Sequence, residues 1–381
     1  MKFHNAHLAY CTNIHPAQNW EETLQSLQTH TLGVRDLLEQ QGQIKGPFAI
    51  GLRLSALAAH ELLQGDHLER FCEWLLKTNT YVFTINGFPY GNFHGTRVKE
   101  QVFAPDWTHQ NRTNYTKNLF KILAAISPAE CGGSVSTLPG SHKSFEADES
   151  VIRKNLIEFS IWLDELSNRS GKDLHLGLEP EPLGHIENTH ESLAFFDRIA
   201  NEARDPETLL KRIGINYDCC HFALQFENAK ESLNAFTDAG IRISKIHLSN
   251  AISLDPQNPD AIAAIAGFDE PVYSHQVVHQ NKSGTLSRFI DLPDFLNADP
   301  SVLHGEARVH FHIPLDAEPE PPLGSTRDHV IDTLSWLRAH RLDCRHLEIE
   351  TYTWGVLPNV LRRPVEEQIA AEYRWVLAQN M

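Results

Sequence analysis

The sequence predicts a single (β/α)8 barrel, and three observations lead there. The chain has 381 residues, enough to bury a large core and more than a minimal eight-unit barrel needs. Short β-branched or apolar runs alternate with amphipathic helical stretches, the pattern of parallel βαβ units. Polar residues able to bind metals recur where the later apolar runs end, as on the functional rim of such a barrel.

Eight apolar runs read as barrel strands: residues 7–11, 49–54, 81–85, 133–138, 174–179, 212–217, 243–248 and 345–351. Helical periodicity fills the gaps. One helix runs over 20–40 behind the N-cap Asn19, and another begins after Ser55. A third starts near Glu149 with Asp148 as its cap and carries Ile152, Leu156, Phe159 and Trp162 on its apolar positions. Further helices are expected over 190–203, 228–238, 325–340 and 364–379. Two stretches exceed ordinary loop length: 86–112 after the third strand, and 250–324 between the seventh and eighth. The second contains Arg308-Val309-His310-Phe311-His312-Ile313, a period-2 segment that reads as an extra strand. No repeat or linker divides the chain, so residues 1–381 are expected to form one barrel carrying 250–324 as an expansion.

Composition excludes several functions. The formal charge is −16, with 33 Lys+Arg against 49 Asp+Glu, and the basic residues form no run. A protein that tracks a phosphate backbone needs the opposite, so nucleic acid is not an expected partner. The chain has no apolar run of bilayer-spanning length and no secretory signal at its start, which leads to the expectation of a cytoplasmic protein without a membrane partner. The six cysteines lack both Cys-x-x-Cys spacing and a disulfide framework, and read as reduced, buried thiols. Oligomeric state leaves no signature here.

Four polar clusters close the last four strands. The fifth ends Leu178-Glu179-Pro180-Glu181, and the sixth Asp218-Cys219-Cys220-His221. The seventh ends His247-Leu248-Ser249-Asn250, and the eighth Glu348-Ile349-Glu350-Thr351. In a closed barrel these ends are neighbours, so Glu179, Asp218, His247 and Glu350 can converge on one ion. A lone acid at a strand end needs no metal, since strand ends meet water anyway; four in consecutive order are harder to explain that way. Carboxylates with imidazole at an open site suit Mn²⁺, Zn²⁺, Co²⁺, Fe²⁺ or Mg²⁺. Glu181 competes with Glu179, and Glu348 with Glu350, because each pair shares the two-residue period.

On these four motifs the chain resembles the xylose-isomerase-like TIM-barrel superfamily, which includes small sugar isomerases and epimerases and endonuclease IV. The resemblance implies that Glu179, Asp218, His247 and Glu350 hold a metal, and that Asp218 and His221 form the superfamily's Asp-x-x-His pair. It also implies a metal-dependent isomerase or epimerase of a small polyhydroxylated sugar or cyclitol, with Glu179 and Glu350 as ligands and acid/base pair. Two alternatives stand beside it: a metal-dependent phosphoesterase of the endonuclease IV type, and a metabolite-binding protein without catalysis. Asn86-Gly87-Phe88-Pro89-Tyr90-Gly91, Phe103-Ala104-Pro105-Asp106-Trp107 and Glu350-Thr351-Tyr352-Thr353-Trp354 resemble the branch labelled EboE, named for gene clusters tied to secondary-metabolite traffic. The chain departs from endonuclease IV in lacking an evident Asp-x-His after strand seven. His310 and His312 are candidates for that place, as further metal ligands. Around this rim Arg53, Asn86, His94, His142, Glu181 and Trp354 are candidate substrate-binding residues.

Overall fold

The computed structural model describes residues 1–94, 99–340, 344–358 and 362–379. Its main sheet has nine strands. A two-residue strand, Lys2–Phe3, pairs antiparallel with β1 (Ala6–Tyr10), and every other pairing in that sheet is parallel. From β1 the order runs through β13 (His346–Ile349), β7 (Ile243–Leu248), β6 (Ile213–Asp218), β5 (Leu174–Leu178), β4 (Gly133–Thr137) and β3 (Thr80–Asn86) to β2 (Phe48–Arg53). A parallel bridge between Cys11 and Gly51 joins the two ends. The result is the eight-stranded barrel expected, each strand within two residues of its expected place; the last begins at His346 and ends at Ile349.

Helices cover the outside, and their caps follow local chemistry. Asn19 and Glu22 form a reciprocal capping box at the start of the helix over 20–40, which holds a π-helical turn at Leu27–Thr31. Asp148 caps the 22-residue helix Glu149–Ser170. Leu119, Leu176, Ile246, Leu334 and Tyr373 are buried in one apolar layer between sheet and helices. The barrel interior is polar by contrast: His175 Nδ1 lies 2.6 Å from Ser244 Oγ, and His346 Nδ1 2.8 Å from Ser134 Oγ. Both of these histidines have found a partner on another strand.

Two parts of the fold depart from the expectations. The stretch 86–112 gives way at Gln110 to a helix, Gln110–Ile126, which fills the gap before β4. Between β7 and β13 the chain builds a second, five-stranded antiparallel sheet. Its strands are β8 (Ile252–Leu254), β9 (Val277–Asn281), β10 (Leu286–Phe289), β11 (Gly305–Val309) and β12 (Gly324–Ser325). They pack a small apolar cluster of their own around Phe268, Phe295 and Phe311. The strand expected over 308–313 is thus β11, displaced toward Gly305, and His310 and His312 lie just beyond its end. No described helix is long and apolar enough to cross a membrane.

Candidate metal centre

The site forms where β5, β6, β7 and β13 end. Glu179 and Glu350 each directly follow the last residue of their strand, and their amides still bond the neighbouring strand, to Thr137 O at 3.0 Å and Leu248 O at 3.1 Å. Asp218 sits beside His247 in register. The backbone therefore aims all four side chains into the barrel mouth, where their ligand atoms lie within 4.8 Å of one another and all four residues are buried.

His247 occupies the centre. Its Nδ1 lies 3.1 Å from Glu179 Oε1, 3.0 Å from Glu350 Oε2 and 3.4 Å from Asp218 Oδ2. Its other nitrogen, Nε2, is 3.0 Å from Glu348 Oε2. Burial alone would lower the imidazole pKa, but Glu350, Glu179 and Asp218 outweigh it and hold it well above the ordinary value. Burial pushes Glu350 up; His247 opposes this, while Glu179 and Asp218 add to it. Glu179 Oε2, Glu181 Oε1 and Asp218 Oδ2 are buried without any hydrogen-bond partner. Carboxylate oxygens stripped of water and left unpaired are costly unless a cation takes them, so this donor set fits a divalent metal.

One layer deeper, Glu348 is held by Lys245, whose Nζ is 2.6 Å from Glu348 Oε2 and 2.9 Å from Ser136 Oγ. Burial would raise the Glu348 carboxyl, but Lys245 and His247 bring it down to about 2. Space for this carboxylate comes from Gly51, where a Cβ would stand 2.0 Å from Glu348 Oε1. The two-residue spacing thus places both Glu348 and Glu350 in the barrel, at different depths. Glu348 reaches the far side of His247, and Glu350 joins Glu179 and Asp218.

A second cluster adjoins the first. His310 Nε2 lies 3.1 Å from His221 Nε2 and 3.3 Å from His312 Nε2. The opposite nitrogens meet acceptors: His221 Nδ1 with Pro180 O, His312 Nδ1 with Glu350 O and His310 Nδ1 with Gln276 Oε1, at 3.1, 2.9 and 2.7 Å. Each Nδ1 therefore carries the proton and each Nε2 presents a lone pair to its neighbours. Burial lowers the pKa of all three rings, most strongly that of His310. Glu181 groups with His221 and His310, and Asp218 with His221 and His312. Asp218 thus borders both clusters, while Glu181 turns toward the histidines rather than toward His247.

A cavity of about 270 Å³ opens above these groups. Asn86, His142, Glu179, Glu181, His221, His310 and Glu350 line it. Three of the candidate substrate-binding residues, Arg53, His94 and Trp354, lie outside its lining. Arg53 is buried, with its guanidinium donating to Ala17 O and Gly91 O at 2.5 and 2.6 Å, so it ties loops together. His94 bonds Asn13 O and Tyr273 Oη at 2.5 and 3.0 Å. Trp354 donates to Arg363 O at 2.8 Å. Lys245, Asn13, Gln276 and Tyr273 carried no signal in the sequence. A lysine inside a strand reads as a solvent-facing residue, and the others come from loops brought over the rim by the fold.

The fold matches known structures along nearly the whole chain. The IolI protein with a bound zinc atom aligns over 98% of this chain and 99% of that one, at 12% identity and a TM-score of 0.50. The chain has the xylose-isomerase-like barrel fold. A xylose isomerase domain protein from Salmonella typhimurium aligns over 99% of each chain at 11% identity, with a TM-score of 0.46. L-ribulose 3-epimerase aligns over 98% of this chain and 94% of its own at 11% identity, with a TM-score of 0.48. No family model matches the chain, and no curated protein does. The EboE resemblance therefore rests on the sequence motifs alone, and likeness at this identity speaks for the fold.

Proposed function

We propose that the protein is a metal-dependent isomerase or epimerase of a small sugar- or cyclitol-like compound. The observation that carries this reading is the pair Glu179 and Glu350. They face one another from β5 and β13 across a position bordered by His247 and Asp218, on the floor of the cavity. The neighbours named as sugar epimerases and the zinc-bearing IolI protein agree with it. A divalent ion held by Glu179, Asp218, His247 and Glu350 supplies Lewis acidity, making the proton on a hydroxyl-bearing carbon beside a carbonyl more acidic.

The chain's own groups do the rest. Asn13 Nδ2 and Asn86 Nδ2 both donate to Glu350 Oε1 at 2.9 Å, which fixes that carboxylate and turns Oε2 toward His247. One of the two glutamates accepts the carbon-bound proton and the other returns it. Burial excludes water from this exchange. Tyr273 and Gln276, from the 250–324 segment, line the same cavity, so we read that segment as part of the barrel's mouth. The proposal places such a reaction in a secondary-metabolite pathway, as the EboE resemblance implies.

The test is proton exchange. A panel of ketoses and inososes is incubated with metal-loaded protein in D2O and followed by NMR. Deuterium enters at the hydroxyl-bearing carbon with the native protein and not with Glu350→Gln, whose circular dichroism stays native. Exchange that persists in Glu350→Gln removes the glutamate pair from the mechanism. A second reading, metal-dependent phosphoester hydrolysis, is favoured by the three converging histidines beside Asp218, since a multi-metal site stabilises attack at phosphorus. Two tightly held ions per chain with phosphate release, and no exchange, decide for it.

A further inference from the structure

The cavity changes character with height. Its floor is polar, and the buried polar atoms left without partners around it, Asn13 Oδ1, Glu179 Oε2 and Glu181 Oε1, all belong to floor residues. Its walls are different. Phe88 and Phe103 meet edge-to-face at 5.3 Å, and Phe103 in turn packs on His142 at 4.8 Å. Elsewhere Phe93, Tyr273 and Tyr352 form a mutual cluster with ring centroids 5.1–5.4 Å apart. All five rings line the cavity. They come from the described residues between β3 and the helix Gln110–Ile126, from the expanded 250–324 segment and from the chain after β13, so the longest additions to the barrel are what supply the walls.

The cations of the lining are already engaged. Lys99 pairs with Asp291, and Lys143 with Glu187 and Glu191; Arg53, outside the lining, is spent on backbone carbonyls. No arginine lines the cavity among the described residues. Among the described residues, a phosphate at the outer end of a substrate would find no free guanidinium to grip it. A hydroxyl-covered chain would fare no better, because each hydroxyl set against Phe88, Phe103 or Phe93 loses its water without gaining a partner.

We propose that the substrate is amphipathic: a hydroxylated carbonyl head that sits on the floor, joined to an uncharged apolar body, an aryl ring or branched alkyl group, that fills the aromatic walls. This rests on the metal-dependent reading for the head. The apolar body is read from the walls alone. Aromatic faces reward a flat or branched apolar group by area and ring contact, which a free triose or hexose, with less apolar surface, uses less fully.

The test compares three probes with one head group. Dihydroxyacetone, 2-hydroxyacetophenone and dihydroxyacetone phosphate are titrated calorimetrically into metal-loaded and metal-stripped protein. In the loaded protein 2-hydroxyacetophenone is expected to bind at least tenfold more tightly than dihydroxyacetone, and the phosphate no more tightly than dihydroxyacetone. Phe103→Ala is expected to remove most of the aryl preference while metal content, measured by atomic emission, and dihydroxyacetone binding stay unchanged. Equal or weaker binding of the aryl compound, undetectable binding of it to the loaded protein, or a preference for the phosphate overturns the proposal. Should the aryl preference hold while binding ignores the metal, the metal-chelated head fails and the apolar walls stand.

Discussion

Beneath the rim, Lys245 and Glu348 form an ion pair in which both side chains are fully buried, and their removal separates stability from metal binding. Lys245→Met leaves the Glu348 carboxylate in the barrel with only His247 beside it. Breaking one side of a buried pair costs about 3–5 kcal/mol. With an unfolding entropy of roughly 2.1 cal/mol/K per residue, a chain of 381 residues should lose about 4–6 °C in Tm. The double change Lys245→Met with Glu348→Leu removes both charges and should recover most of that loss. Metal affinity should not recover. Glu348 accepts from His247 Nε2 at 3.0 Å, which keeps the Nδ1 lone pair facing Glu179, Asp218 and Glu350. Losing such an orienting carboxylate typically weakens a metal site about 10–100-fold. Calorimetric unfolding of the stripped proteins and competitive Zn²⁺ titration read the two quantities separately. A double variant that regains its Tm and also binds zinc as tightly as the native chain would refute the idea that Glu348 orients His247.

Two further predictions concern the frame of the site. Burial raises the Glu372 carboxyl to about 8, even though Thr351 Oγ1 and Leu315 N donate to it at 2.6 and 3.0 Å. Its folded pKa lies above the ordinary 4.5, so the stability it contributes is present below that value and is lost as pH rises toward 8. The ceiling on that loss is roughly 5 kcal/mol; Glu372→Gln should therefore flatten the fall in stability between these limits, and a denaturation series that declines in parallel for both proteins contradicts the shift. Gly51→Ala should cost about 1–3 kcal/mol, since the new methyl would stand 2.0 Å from Glu348 Oε1 and 2.6 Å from Tyr10 O. An unchanged denaturation midpoint would mean that Glu348 does not occupy that space.

What the sequence revealed, and what it hid, follows from local physics. The eight strands were legible because parallel strands covered on both faces are short apolar runs, and because a residue of a metal-binding type stands at or beside the end of each of the last four. The helix Gln110–Ile126 was not, since its first turns, Gln110-Asn111-Arg112-Thr113-Asn114, are polar and continue a long loop without a break. The second sheet was mostly hidden because its strands are only two to five residues long, too short for alternation to register. His310 and His312 did meet His221, but not through strand geometry: both lie past Val309, where β11 ends. The choice between Glu348 and Glu350 is one of depth inside the barrel, and it turns on Lys245 and Gly51, on other strands. That information is tertiary, and a two-residue period does not carry it.

The central claim is that the rim of the barrel holds a divalent ion, and anomalous diffraction from crystals grown with Mn²⁺ or Zn²⁺ tests it most directly. The account predicts a strong peak at about 2.0–2.2 Å from carboxylate oxygens of Glu179, Asp218 and Glu350 and from His247 Nδ1. A rim without a peak in crystals that bind the ion elsewhere would contradict it.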